Sequence, residues 1–241
     1  MQWDARTWKW LGFFAMLACV AAGFVVLDRA RENEWSHAAV VGLRVLIVAM
    51  GLFAWFLSQS LLGSRKLDGE TCGDGVHQGT ARLHAYLEAR PRAVSALLIV
   101  SSAGIDLFGV TLIVVSVFGQ TMRPLLGLTI VFALRQVCQA VCALPPPRGM
   151  LWRRPGFPSL LVTYDVANDF FFSGHTSIAI LGAIEATRLY PGPIAVAAWA
   201  VAAFEAATVL VLRAHYTLDV FTGIVTAICA AQLAAWLMGV V

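Results

Sequence analysis

The stretch that decides the fold is AAVVGLRVLIVAMGLFAWFLSQSLL, from Ala38 to Leu62. It holds a single charge, Arg44, in a run longer than the roughly 20 apolar residues that a helix needs to cross a bilayer. A core helix of a soluble protein shows one apolar stripe and a polar face, and this segment shows no polar face. The whole chain has the same character. Of its 241 residues 59% are hydrophobic and 13% charged, with a mean hydropathy of +0.77. A soluble domain carries roughly a quarter charged residues. The composition excludes a soluble globular protein, and it excludes disorder for the same reason. The expected fold is all-α, a polytopic transmembrane helical bundle of six to seven spans.

Working outward gives seven apolar segments in a single integral-membrane domain, 1–241. The first runs from Trp10 to Leu27 and reads as a span, since no small-residue cleavage site follows it. The second is Ala38–Leu62. A polar stretch from Gly63 to Arg92 has one short surface helix within Thr80–Glu88. The third and fourth run from Ala93 to Phe118 and from Pro124 to Leu144, where Pro145, Pro146 and Pro147 stop the helix. After a loop to Phe172 come Ser173–Leu189, a tight turn at Pro191-Gly192-Pro193, a sixth segment ending at Leu212, and a seventh from Tyr216. Eleven Lys and Arg lie on the N-terminal side of such a seven-span chain and four on the other. The positive-inside rule then places the N-terminal side in the cytoplasm. Four of the eleven, Arg148, Arg153, Arg154 and Arg213, lie in segments that are candidates for phosphate binding.

Several partner classes are excluded. No basic run interleaved with aromatic residues points to nucleic acid. Five Cys without a CxxC pair support neither a disulfide framework nor a zinc site. No ligand cluster for a metal is visible, and no cofactor is expected.

The polar residues of the apolar part concentrate in two places: Asn168-Asp169-Phe170-Phe171-Phe172-Ser173-Gly174-His175-Thr176 and Arg213-Ala214-His215-Tyr216-Thr217-Leu218-Asp219. Each opens an odd-numbered segment, so both face the same side of the membrane and can meet. His215 and Asp219 are one helical step of four apart. A carboxylate there holds the proton of one imidazole nitrogen and leaves the other free to attack. Ser173-Gly174 at a helix start offers unpaired amides to an anion such as phosphate. His175, in the first turn, is placed to protonate a leaving oxygen. This is a phosphoryl-transfer set. His37, His77 and His84, in polar stretches, read as hydrogen-bonded structural residues.

Ser173-Gly174-His175-Thr176 and His215-Tyr216-Thr217-Leu218-Asp219-Val220 resemble the two catalytic motifs of sphingomyelin synthases, within the type 2 phosphatidic acid phosphatase superfamily. Asp169, four residues before Ser173, matches the last residue of that family's Cys-Gly-Asp motif, with Ala167-Asn168 in place of Cys-Gly. Arg135, nine residues before Leu144-Pro145-Pro146-Pro147, resembles a third motif. The resemblance spans 135–220, and no match to the family's N-terminal motif is found. It implies a phosphatidic acid phosphatase type 2-like core, a phosphohistidine on His215, Asp219 as its partner and His175 as the acid. Arg135, Ser173, Gly174 and Arg213 are the candidate phosphate-binding residues, with Asp169 and Tyr216 as support. Sphingomyelin synthases have six spans and act on the exoplasmic face, whereas seven spans here turn the site to the cytoplasm.

The expected activity is transfer of phosphocholine or phosphoethanolamine from a glycerophospholipid to a lipid alcohol such as ceramide, both substrates being drawn from the bilayer. With water as acceptor the same site is a lipid phosphatase or phospholipase C-like hydrolase. A scaffold or transporter is the remaining class. Intact His175, His215 and Asp219 disfavour a scaffold, and the lack of a repeat disfavours a transporter. A charge at mid-bilayer costs about 3 kcal/mol on insertion scales, which singles out Asp106, Glu185 and Glu205 as well. Asp106 is expected to pair with Arg44 or Arg135. Trp3, Trp8, Trp10 and Trp152 read as interface anchors.

Overall fold

A computed structural model describes residues 5–62, 73–164 and 170–239. Among these it is all-α, with nine helices: α1 (Ala5–Glu32), α2 (His37–Leu62), α3 (Gly75–Gly79), α4 (Ala81–Glu88), α5 (Pro91–Phe118), α6 (Arg123–Val141), α7 (Gly174–Leu189), α8 (Pro193–Val211) and α9 (Thr217–Leu237). Six of them, α1, α2, α5, α6, α8 and α9, are long and apolar enough to cross a membrane. The chain is a multi-pass integral membrane protein. α6 stops at Val141 rather than Leu144, because a residue before proline is driven out of the helical region and Leu144 precedes three prolines.

The fifth apolar segment is of another kind. α7 has 16 residues, roughly 24 Å of helix, which falls short of the roughly 30 Å hydrocarbon layer. It packs against α5, α6, α8 and α9, and Ala179, Leu181 and Ala183 have no exposed surface. Protein rather than lipid surrounds this helix, so it needs no full-length apolar wall. Its direction follows from its polar partners. Glu185, near its end, pairs with Arg123 at the start of α6 at 2.8 Å, so α7 runs antiparallel to α6. Arg188 donates to the carbonyl of Ala231, late in α9, so α7 and α9 run parallel with α8 returning between them. The starts of α7 and α9 therefore lie at the same end of the bundle.

The intramembrane charges are used locally. Arg188 joins Arg123 on Glu185. Arg44 donates to the carbonyls of Val117 and Gly119 at 3.0 and 2.8 Å, at the C-terminus of α5, where helix carbonyls lack internal partners. Glu205 accepts from the Ser101 hydroxyl at 2.6 Å. Among the described residues, Asp106 pairs with no arginine. Its two carboxylate oxygens accept from the amides of Leu160 and Leu161, each at 2.9 Å. Asp106 lies fifteen residues into α5, roughly 22 Å from its start, so the loop after α6 reaches far along α5, with Leu160 exposed and Val162 buried. Irregular backbone at that depth persists only where protein groups satisfy its amides.

Asp106→Ala should therefore destabilise the detergent-solubilised protein by about 2 kcal/mol, the scale of hydrogen bonds to a charged group. Asp106→Asn, which keeps one acceptor, should cost less. Equal thermal midpoints for Asp106→Ala and the parent protein would contradict this account of the loop.

Candidate active site

The start of α7 is closed by Ser173, whose hydroxyl oxygen accepts from the Thr176 amide as an N-cap does. The start of α9 is closed by Asp219, whose Oδ2 accepts from the Tyr216 amide at 2.9 Å. The two starts are tied together. The Ser173 amide donates to the carbonyl of Asp219 at 3.1 Å, and the Ser177 hydroxyl donates to the carbonyls of Ser173 and Gly223. Gly223 permits this approach, since a Cβ there would lie 2.9 Å from the Ser173 oxygen.

Asp219 is fully buried and His215 is 8% exposed. Nδ1 of His215 stands 3.5 Å from Oδ2 of Asp219. That is ion-pair range and looser than a formed hydrogen bond. With Nδ1 on the carboxylate, Nε2 is the nitrogen left to react. His215 lines a cavity of about 540 Å³ together with Arg135, Gly174 and His175. Trp152 meets the His175 ring edge-on at 5.0 Å, and Phe170 meets that of His215 at 6.0 Å. Nε2 of His175 is buried without a hydrogen-bond partner among the described residues. Arg135 donates from Nε to the carbonyl of Phe172 at 2.8 Å and from a terminal nitrogen to Gln139. A Cβ at position 174 would lie 3.5 Å from Arg135 Nε, so the guanidinium stands in van der Waals reach of the helix start.

The structure brings some of the residues singled out in the sequence together and separates others. Arg135, Gly174, His175 and His215 share the cavity, with Ser173 and Asp219 behind them. Tyr216 is the residue before α9, and its ring stacks on His77 at 5.9 Å. Arg213 points elsewhere. Its backbone is left-handed, with φ 55°, at the position after α8 where a helix ends with paired backward hydrogen bonds, here Ala214 to Val209 and Arg213 to Leu210. Its guanidinium donates to the carbonyl of Arg148 at 3.0 Å and does not line the cavity. Asp169 lies outside the described residues. Trp152 is a wall of the site and donates to the carbonyl of Thr163, because its loop folds into the bundle rather than along the interface. Among the described residues, no three His, Cys, Asp or Glu side chains come together as metal ligands.

A brace around His215 was not legible in the sequence. Asp74 caps α3 by accepting from the amides of Val76 and His77. The same carboxylate accepts from the Thr217 amide at 2.6 Å and its hydroxyl at 2.8 Å. His77 Nε2 bonds the carbonyl of His215 at 2.9 Å, and His84 Nδ1 bonds that of Val211 at 2.8 Å. The helical pattern of 80–88 was visible, but nothing in it says which turn it covers. Burial pushes the Asp74 carboxyl up, yet the Thr217 amide and hydroxyl and the His77 amide outweigh it and hold the pKa below its ordinary 3.8.

A family model described as AtPDCT1/2 matches residues 74–236. No curated protein and no solved structure matches the chain.

A depressed carboxyl pKa adds stability above the unfolded value, lost only as pH falls through the folded one. The Asp74 contacts should accordingly persist at pH 5 and open only below the ordinary carboxylate value. Asp74→Ala should release them at any pH, raising exchange of the Thr217 amide and lowering turnover roughly tenfold, the effect of slightly misplacing a reacting group. Exchange at Thr217 that is indifferent to Asp74→Ala would remove the brace.

Proposed function

The chain belongs to the AtPDCT1/2 family of phosphatidylcholine:diacylglycerol cholinephosphotransferases, and we propose that it moves phosphocholine from a glycerophospholipid to a diacylglycerol-type alcohol. The family makes it a membrane lipid phosphotransferase. The observation that supports the finer reading is the single cavity lined by Arg135, His175 and His215, with Asp219 buried behind His215.

In the first step His215 Nε2 attacks phosphorus. The N–P bond forms, the bond to the diacylglycerol oxygen breaks, and protonated His175 gives that oxygen its proton. Asp219 holds the proton on Nδ1 and stabilises the positive ring. Arg135 and the free amides at the start of α7 face the phosphoryl oxygens, whose charge they offset most strongly where water is excluded. In the second step the acceptor hydroxyl gives its proton to His175 and attacks phosphorus, and the N–P bond breaks. This is the chemistry that the sphingomyelin synthase resemblance implies, with diacylglycerol rather than ceramide favoured as acceptor by the family. The same steps with water would make the protein a hydrolase.

The test uses purified protein in vesicles of headgroup-labelled phosphatidylcholine, with added diacylglycerol of distinguishable acyl chains or with ceramide. Label should appear in phosphatidylcholine carrying the added chains. His215→Ala should abolish this, and Asp219→Asn should lower it by two orders of magnitude or more, as when the orienting carboxylate of a catalytic triad is lost. Label released as soluble phosphocholine would identify a hydrolase, label on ceramide alone a sphingolipid enzyme, and undiminished transfer by His215→Ala would remove the nucleophile.

A further inference from the structure

A second cavity adjoins the first. It lies between α1, α2 and α6, with Phe13, Leu17, Ile47 and Leu128 among its walls. Trp55, Phe132, Leu161 and Ile178 line both cavities, so the apolar chamber begins where the site of Arg135, His175 and His215 ends.

The chamber is not wholly apolar. Gln136 lines it and is only 3% exposed. Its amide nitrogen and oxygen are both buried with no hydrogen-bond partner among the described residues. Buried amides are nearly always paired, and an orphan asks for an explanation. Gln136 adds nothing that packing requires, since a leucine would fill the same space without an unmet donor and acceptor. It also follows Arg135 directly. Successive residues of a helix point about 100° apart, so one side chain serves the phosphate cavity and the next serves the chamber.

A glycerophospholipid repeats that order of chemistry: a phosphate, then acyl ester carbonyls on the adjoining glycerol carbons, then hydrocarbon. We propose that the chamber is the binding site for the acyl part of a diester glycerolipid, with the Gln136 amide donating to an ester carbonyl. The assignment rests on the phosphotransferase reading for its orientation, because that reading puts the phosphate beside Arg135. It adds a specificity element. Gln136 selects lipids with ester-linked chains over ether-linked ones, and the α1–α2 hairpin forms one wall of the substrate site.

The test measures binding rather than turnover, so that it stands apart from the phosphotransfer assay. Full-length protein carrying His215→Ala is purified in detergent, and a fluorescent diacyl phosphatidylcholine is displaced by dioleoyl phosphatidylcholine or by its dialkyl ether analogue. The diester should compete about tenfold better than the diether. Adding Gln136→Leu should bring the two within about twofold while the diether binds at least as well as before. That variant keeps the volume and removes an orphan amide, so it should fold. Leu128→Trp, which fills the chamber, should weaken both lipids by tenfold or more. Equal affinities for diester and diether with Gln136 present, or a preference that survives Gln136→Leu, would overturn the assignment. Either result alongside wild-type headgroup transfer would leave the proposed reaction standing and remove only the subsite. A folded protein that binds neither lipid and transfers no headgroup would defeat both.

Discussion

In hydrocarbon, a backbone amide or carbonyl outside a helix has no water to turn to, and leaving it unpaired costs several kcal/mol. That constraint governs the end of this bundle where α7 and α9 begin. The chain there is irregular, and polar side chains meet its needs one by one. Asp106 takes the amides of Leu160 and Leu161. His84 takes the carbonyl of Val211 and His77 that of His215. Asp74 takes the amide of Thr217, Asp219 that of Tyr216, and Arg135 the carbonyl of Phe172.

The candidate catalytic groups belong to the same network. Oδ2 of Asp219 serves both the Tyr216 amide and the His215 ring, so the carboxylate that caps α9 also orients the histidine. Arg135 anchors Phe172 at the entry to α7 while its guanidinium lines the cavity. A site built this way needs little reorganisation when charge develops, which is the main source of electrostatic catalysis. It also explains why the short helices α3 and α4 matter. They lie outside the spans, yet their side chains hold the backbone on both sides of His215.

Much of this was legible in the sequence, and the reasons are physical. Apolar runs of membrane length leave no fold other than helices, so six spans could be read directly. The spacing of four brought Asp219 to His215, although His215 stands in the bend before α9 and not on the helix face that the spacing implied, and the parity of the segments put Ser173-Gly174-His175 at the same end. What could not be read is which side chain meets which piece of irregular backbone. Asp106 looked like the partner of an arginine because only helices were in view, and the returning loop that it satisfies has no periodic signature. Arg213 stands two residues before His215, but the left-handed turn after α8 sends its guanidinium to Arg148. α7 reads like the other apolar segments, because hydropathy does not distinguish a helix wrapped in protein from one wrapped in lipid.

The central claim is that His215 carries the headgroup between two lipids. Protein mixed with phosphatidylcholine labelled in its phosphate, without acceptor, and quenched in alkali within the first turnover measures this directly, since phosphohistidine survives base. The account predicts label on the peptide containing His215, discharged by adding diacylglycerol and absent from His215→Ala. Rapid transfer with no protein-bound label at any time, or label on a residue other than His215, would contradict it.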